Sequence, residues 1–544
     1  MGRCLGRGPD ENTRLHLERV HEHPSRGGCG EDRGSAGGPA ASRTTSRLGR
    51  TPGRRGAGPV REVVVGVDSS TQSCTAEVRD LVSGELISTG RAPHPPTTPP
   101  VSEQDPQAWW DALVTAVRSA LRDLDVRVVG VSIGAQCHGL VALDSSRQVI
   151  RPAKLWNDTT SAPQAAALLE ARTTSWWTNE IGLAPSAALT ISKLAWMRDI
   201  EPENFARVRH LAVPHDWLTF RLTGLHVTDR SDASGTGYFS AHDNRWRTDI
   251  LNEMIADRDW SALLPDVLGP NDRAGRITAE AAAILGIDAG AVVSAGGGDQ
   301  HLAAQGIGLR EGDIGYSLGT SGVAFATTPR SIHDPTGSID GVANVTGGFL
   351  PLVCSLNSTK VTDAMARLLG VDHTELARLA LAAPLDADRP VLAAYLDGER
   401  SPRRPAARGM LAGLTSSMSR EQIALSAFEG VALGLVRGER LLTSHGIEVT
   451  GRTIAVGGGA RSLAYRQVLA DLTGRPVNTV EAPEGTARGA AIQAAAVVRG
   501  ETVDELSRSW SPPITTTTSP TADRNDVWDR YLALSDLQAD GRTF

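Results

Sequence analysis

Lysine is nearly missing from this chain. Of 55 basic residues among 544, only Lys154, Lys193 and Lys360 are lysines. None follows a glycine, which excludes a phosphate loop of the Gly-Lys-Ser/Thr type. A G-x-G-x-x-G after a strand is absent as well, which weakens a Rossmann dinucleotide reading. Cysteine is sparse. Cys4, Cys29, Cys74, Cys137 and Cys354 stand far apart, so a disulfide scaffold or a Cys-rich zinc site does not fit, and a reducing cytoplasm is the expected location. Aromatic residues make up 4% of the chain. No window reaches the ~18 consecutive apolar residues of a membrane span, and no apolar h-region marks a secretory signal.

What is present is a globular composition, 40% hydrophobic and 22% charged, with length for roughly two to four domains. Residues 1–60 differ from the rest. They hold 11 Arg against 6 Asp plus Glu, leaving 44 basic and 56 acidic residues in the remainder. That head is rich in Gly, Ser and Pro without a hydrophobic period, and is expected to be a disordered extension. An acidic body argues against nucleic acid as the main partner.

The fold is expected to begin at Arg61. Glu62 to Val67 is a β-branched run that reads as a buried strand, followed by the polar turn Asp68-Ser-Ser-Thr-Gln-Ser73. Thr75–Arg79 and Glu85–Thr89 read as two further strands with Ser83-Gly84 turning between them. Asp105-Pro106 opens a helix through Trp109, Trp110, Leu113 and Val117, and the next strand runs from Val126 to Ile133. The same grammar then recurs. Asp313–Ser317 and Val323–Thr327 flank the small-residue turn Leu318–Gly322, and Thr453–Val456 runs into Gly457-Gly-Gly-Ala-Arg-Ser462. Thr71 and Thr320 occupy matching places, so two related α/β lobes facing each other are predicted. The expected division is 1–60, 61–307 for the first lobe, 308–505 for the second, and 506–544 as a partly ordered tail carrying the Thr515–Thr518 run.

Consecutive N–H groups in such Gly/Ser/Thr turns form concave nests for anionic oxygens, and two on facing lobes could hold polyphosphate without a P-loop lysine. Asp68 ends a buried strand beside one nest, placed to hold a divalent cation through water or to serve an Asx-turn. Asp299 follows a strand that ends in three glycines and precedes a helical stretch. Position alone leaves a helix cap and an acceptor of a substrate proton equally open. Gln136, Cys137 and His138 lie just past a strand end, where ligands bind in α/β sheets, although a lone His is more often structural.

Eight segments in this order resemble the FGGY carbohydrate kinases, most closely the xylulokinase branch, over residues 62–500. They are 102–110, Gln136–Gly139, Leu155–Asp158, Ser231–Thr236, Gly296–Asp299, Ser317–Gly322, Gly398–Pro402 and Gly457–Ser462, and the stretch 409–429 also fits. The resemblance implies an α/β fold of two actin-like lobes around a central cleft, ribonuclease H-like and shared with sugar kinases and heat-shock chaperone ATPases. It implies ATP-dependent phosphorylation of a ketopentose, D-xylulose before ribulose or another polyol, with ATP, Mg²⁺ and a small sugar as partners and no membrane. A homodimer is left open, and a non-catalytic actin-like ATPase is the remaining alternative. By the same resemblance Asp299 is the proton acceptor, Asp68 the metal-loop aspartate, and Cys137, His138 and Gln300 the sugar contacts. Thr71, Ser317 and Thr320 belong to the phosphate loops, and Gly458, Gly459 and Ala460 to the nucleoside turn.

The chain departs from the family pattern at three places. Ser70 stands where the first loop usually has Gly, Thr75 where a Lys is common, and Thr160 where an Arg is usual. The last two remove positive charge from the expected site.

Overall fold

The computed structural model describes residues 60–537. The head that was expected to be disordered lies outside the described residues, apart from Val60.

Strand β1 (Arg61–Ser69) carries Val63, Val64, Val65 and Val67, all fully buried, as a strand covered on both faces requires. It pairs antiparallel with β2 (Ser73–Asp80), which pairs antiparallel with β3 (Leu86–Pro93). Helix α1 (Pro106–Leu121) follows, capped by the Asp105 carboxylate, which accepts from the Gln107 N–H. Its Trp109, Trp110, Leu113 and Val117 face this sheet's core, as their spacing predicts. Strand β4 (Val126–Ala135) returns parallel to β1. Strands β5 (Arg273–Arg276) and β6 (Val292–Ser294) complete the order β3-β2-β1-β4-β6-β5, and the short β7 (Gly297–Gly298) also pairs with β4.

The second sheet repeats the plan. Strands β8 (Ile314–Leu318), β9 (Gly322–Ala326) and β10 (Leu352–Ser355) form an antiparallel meander, and β11 (Thr453–Val456) lies parallel to β8. Strand β12 (Val477–Val480) continues parallel, and β13 (Ile514–Thr518) closes the order β10-β9-β8-β11-β12-β13 antiparallel. Both sheets therefore run third-second-first-fourth and onward to one antiparallel edge, a duplication visible in topology.

The tail departs from the expected appendage. Its threonine run is β13 itself. Thr is a good strand former, and an edge strand with one open face needs no apolar sequence. Beyond it, Arg524 pairs with Asp471 at 2.8 Å and Glu429 at 3.0 Å, and Asp526 pairs with Arg389 at 2.6 Å.

Three further helices position the site. Helix α2 (Asp299–Gly306) follows β7, α3 (Arg420–Ser444) spans the second core, and α4 (Gly485–Arg499) comes late in the chain. Yet α4 lies on the first sheet. A Cβ on Gly66 of β1 would stand 1.9 Å from the Ala487 carbonyl oxygen, so the helix sits flush against that strand. Helices α2 and α4 also cross in backbone contact. A Cβ on Gly306 would lie 1.9 Å from Gly485 O, and one on Gly489 would lie 2.0 Å from Leu302 O.

Candidate active site

Register alone brings three segments together. Asp68 of β1 is paired with Gly134 of β4, and Gly297 and Gly298 of β7 are paired with Gly134 and Ala135. Asp68, Cys137 and Asp299 therefore leave adjacent parallel strands at the same end, where α/β sheets present ligand sites. The glycines make this packing feasible, since a Cβ on Gly298 would stand 2.5 Å from Cys137 Sγ.

Asp299 is the first residue of α2, and Gly298 is the cap, so capping does not explain the carboxylate. Its Oδ1 accepts the Gln300 N–H at 2.7 Å and the Cys137 thiol at 3.5 Å. Burial pushes the carboxyl up to about 6, the Gln300 N–H opposes this, and nearby Asp232 adds to the rise. Asp68 is pushed further, to about 7, again chiefly by burial. The Ser70 hydroxyl, donating at 2.5 Å, holds it back, while Asp299 and Glu484 push it up and Arg91 draws it down. Ser70 thus replaces a glycine with a hydroxyl that serves the carboxylate beside it.

A cavity of about 320 Å³ opens between the two sheets. Asp68 and Gln300 line it from the first, Ser317 and Gly457 from the second, and Glu484 and Thr486 from the start of α4. A second cavity of about 690 Å³ adjoins the same two turns, lined by Thr320, Gly458 and Gly459 together with Phe428 and Tyr465. Those two rings meet edge to face with centroids 4.7 Å apart. Ala460 is buried within the short helical turn Gly458–Arg461 that forms this wall.

His138 has a left-handed backbone, φ +66°, and is held from several sides. Its carbonyl accepts from Thr190 Oγ1 and from Lys193 Nζ, each at 3.1 Å. Burial, assisted by the Lys193 and Arg400 charges, pushes the imidazole down to about 3, so the ring is neutral. Its Nδ1 stands 2.8 Å from the Gly235 carbonyl, which can only accept, so Nδ1 carries the proton and Nε2 offers a lone pair. Thr71 lines neither cavity. Its hydroxyl oxygen accepts the Trp156 indole N–H at 2.9 Å, leaving its own proton free to donate. Thr160 donates to Asp158 Oδ1 at 2.6 Å and Thr75 is buried in β2, so neither departure leaves a gap in the packing.

The sequence reading missed the group that fixes the glycine loop. Gln493 of α4 is fully buried, and its Oε1 accepts from Gly296 N at 2.7 Å, Ser132 Oγ at 2.8 Å and Ser294 Oγ at 3.1 Å. Its Nε2 donates back to Gly296 O at 3.2 Å, and Thr486 Oγ1 donates to Asp299 O at 3.1 Å. The one available signal was a lone amide inside the alanine-rich run 490–496.

Residues 63–306 match the N-terminal domain of the FGGY family of carbohydrate kinases, and residues 315–498 match its C-terminal domain. A xylulose kinase of Streptomyces coelicolor is 40% identical over 82% of this chain and 91% of its own length. One from Streptomyces rubiginosus is 39% identical, over 82% and 90%. Among solved structures, a xylulose kinase from Bifidobacterium adolescentis superposes with a TM-score of 0.79 at 37% identity, over 87% of this chain and 99% of that one. Both domains are matched across most of the chain at identities well above those of shared fold alone, and the chain belongs to the FGGY family of carbohydrate kinases.

Proposed function

We propose that this protein transfers the γ-phosphoryl group of ATP to D-xylulose, giving D-xylulose 5-phosphate and ADP. The observation that carries the reading is the Asp299 carboxylate, held on a glycine loop against the Cys137 thiol and next in the chain to Gln300, which lines a cleft built from both sheets. The relatives described as xylulose kinases favour this sugar over ribulose or glycerol. The free thiols among the described residues, Cys74, Cys137 and Cys354, suit a reducing cytoplasm. No helix among the described residues is long and apolar enough to cross a membrane.

In this reading the sugar binds beside Cys137, Gln300 and the Nε2 lone pair of His138. Asp299 takes the proton as the O–H bond of the attacking hydroxyl breaks. That oxygen forms the new bond to phosphorus, while the bond from phosphorus to the β–γ bridging oxygen breaks and ADP leaves. The nucleoside lies in the larger cavity against the Gly458–Ala460 turn, and the β8–β9 turn with Ser317 and Thr320 presents N–H groups to the phosphates. The Asp299 and Glu484 carboxylates both lie near enough to Asp68 to raise its proton affinity, a crowding of acidic groups that a divalent cation would relieve. Asp68 would hold Mg²⁺, which supplies charge neutralisation on the phosphates. Among the described residues no group of three His, Cys, Asp or Glu is placed to hold a metal ion.

A coupled ADP-release assay over D-xylulose, D-ribulose and glycerol tests the proposal. D-Xylulose should give the highest kcat/KM, and Asp299→Asn should lower turnover by ~10²-fold or more with sugar affinity nearly unchanged. Preference for another sugar would move the substrate assignment. ADP release that no sugar stimulates would return the non-catalytic ATPase.

A further inference from the structure

The cleft cavity is lined by acidic residues and by no basic one, yet a nucleoside triphosphate brings several negative charges into it. The lysines are engaged elsewhere. Lys154 pairs with Glu103 at 2.9 Å and Asp158 at 3.2 Å, Lys360 pairs with Asp397 at 2.8 Å, and Lys193 is spent on backbone carbonyls.

One arginine is differently placed. Asp68 of β1 is paired with Thr75 of β2, and Thr75 with Arg91 of β3. Directly opposed residues in antiparallel strands share a face, so Arg91 lies on the Asp68 face and at the same end of the sheet. Its side chain is 63% exposed and reaches within 4.0 Å of Glu484, a wall of the cleft cavity. Its guanidinium donates to Ser73 Oγ at 2.9 and 3.2 Å, and its charge is felt at Asp68. An exposed pair at that separation is weak, so the guanidinium is held near the cleft without being consumed there.

We propose that Arg91 is the phosphate-binding cation of this cleft, exchanging its loose contact with Glu484 for the γ-phosphate of ATP. This rests on the ATP-dependent kinase reading. Guanidinium suits the task because its planar fork meets phosphate oxygens two at a time. The contact is to the terminal phosphate, which ADP lacks, so Arg91 separates the two nucleotides.

Titration calorimetry with ADP and with the imido analogue of ATP, in the full chain with Mg²⁺, tests this without turnover. Arg91→Ala should weaken the imido analogue by ~10-fold or more and leave ADP within twofold. In the steady state the same variant should lower kcat with an unchanged sugar KM. Arg91→Lys, which keeps the charge, should retain most of the analogue affinity. Equal binding of both nucleotides as in wild type, an equal loss for both, or a Lys variant as poor as the Ala variant would each overturn the assignment. Should wild type show no sugar-dependent ADP release, the kinase reading fails, while the nucleotide comparison still judges Arg91.

Discussion

As the proposed general base, Asp299 faces two opposed requirements. A general base must be shielded enough to hold a proton affinity near working pH, yet ionised when the sugar arrives. Burial lifts its carboxyl to about 6, which leaves it mostly ionised at neutral pH. The active form in this reading is the deprotonated one, so with Mg²⁺ saturating and Asp68 thereby held ionised, kcat/KM should fall as pH drops through about 6. A pH–rate profile checks this, and the acid limb should vanish from whatever activity Asp299→Asn retains. The proposed sugar contact of His138 can be tested separately. Loss of its acceptor nitrogen in His138→Ala should raise the sugar KM by ~2–10-fold, the worth of one hydrogen bond, without moving ATP affinity. Equal losses for both ligands would mark His138 as a support of the fold. The sequence exposed Asp299 because three glycines ahead of a helix leave one carboxylate conspicuous. It could not say whether Asp299 is the helix cap, since that depends on which residue has cap geometry, and Gly298 takes that place. Gln493 was hidden for a different reason. A buried amide in an alanine helix announces that it has partners but not which ones.

At the scale of elements, strands were legible where sequence and burial coincide. Val63 to Val67 and Thr453 to Val456 are β-branched runs covered on both faces, and the observed strands include them. The third strand was read as Glu85–Thr89 but is Leu86–Pro93, since its exposed face carries no apolar alternation to mark its end. The tail strand is hidden in the sequence because polar threonines at a sheet edge resemble low-complexity sequence. Helix α4 illustrates how one element can serve both fold and site. It lies against β1 and crosses α2, and its single buried amide ties β4, β6 and the glycine loop together. Gln493→Leu would strand the Gly296 N–H and two serine hydroxyls at a cost of about 1–3 kcal/mol for a lost buried partner. Both thermal stability and kcat should fall, with sugar KM changing less than kcat. Turnover per folded molecule that matches wild type would make Gln493 a brace for the fold alone.

At the scale of the whole molecule, the duplication was readable because both copies open with strand, polar turn, strand. The sequence offered no sign that the first sheet is finished by a helix from the far end of the chain. Alanine and glycine at close spacing state that a helix packs tightly and leave open which sheet receives it. That placement governs the order in which the protein can be made. Val64 of β1 shares a core with Ala491, Ile492 and Ala495 of α4 and with Val503, Leu506 and Trp510 beyond it. On a ribosome adding about 5–20 residues per second, a chain that has reached residue 307 must wait on the order of ten seconds or more for this cover. Until then one face of the first sheet is an open apolar surface, exposed to chaperones and to other nascent chains. A fragment of residues 60–307 should therefore aggregate or be rapidly cleaved in limited proteolysis, and a separate peptide spanning 480–512 should protect it. A fragment that resists protease unaided would mean that the first lobe closes without α4. If the peptide rescues it, the first lobe of this kinase completes its fold only once most of the second lobe has been translated.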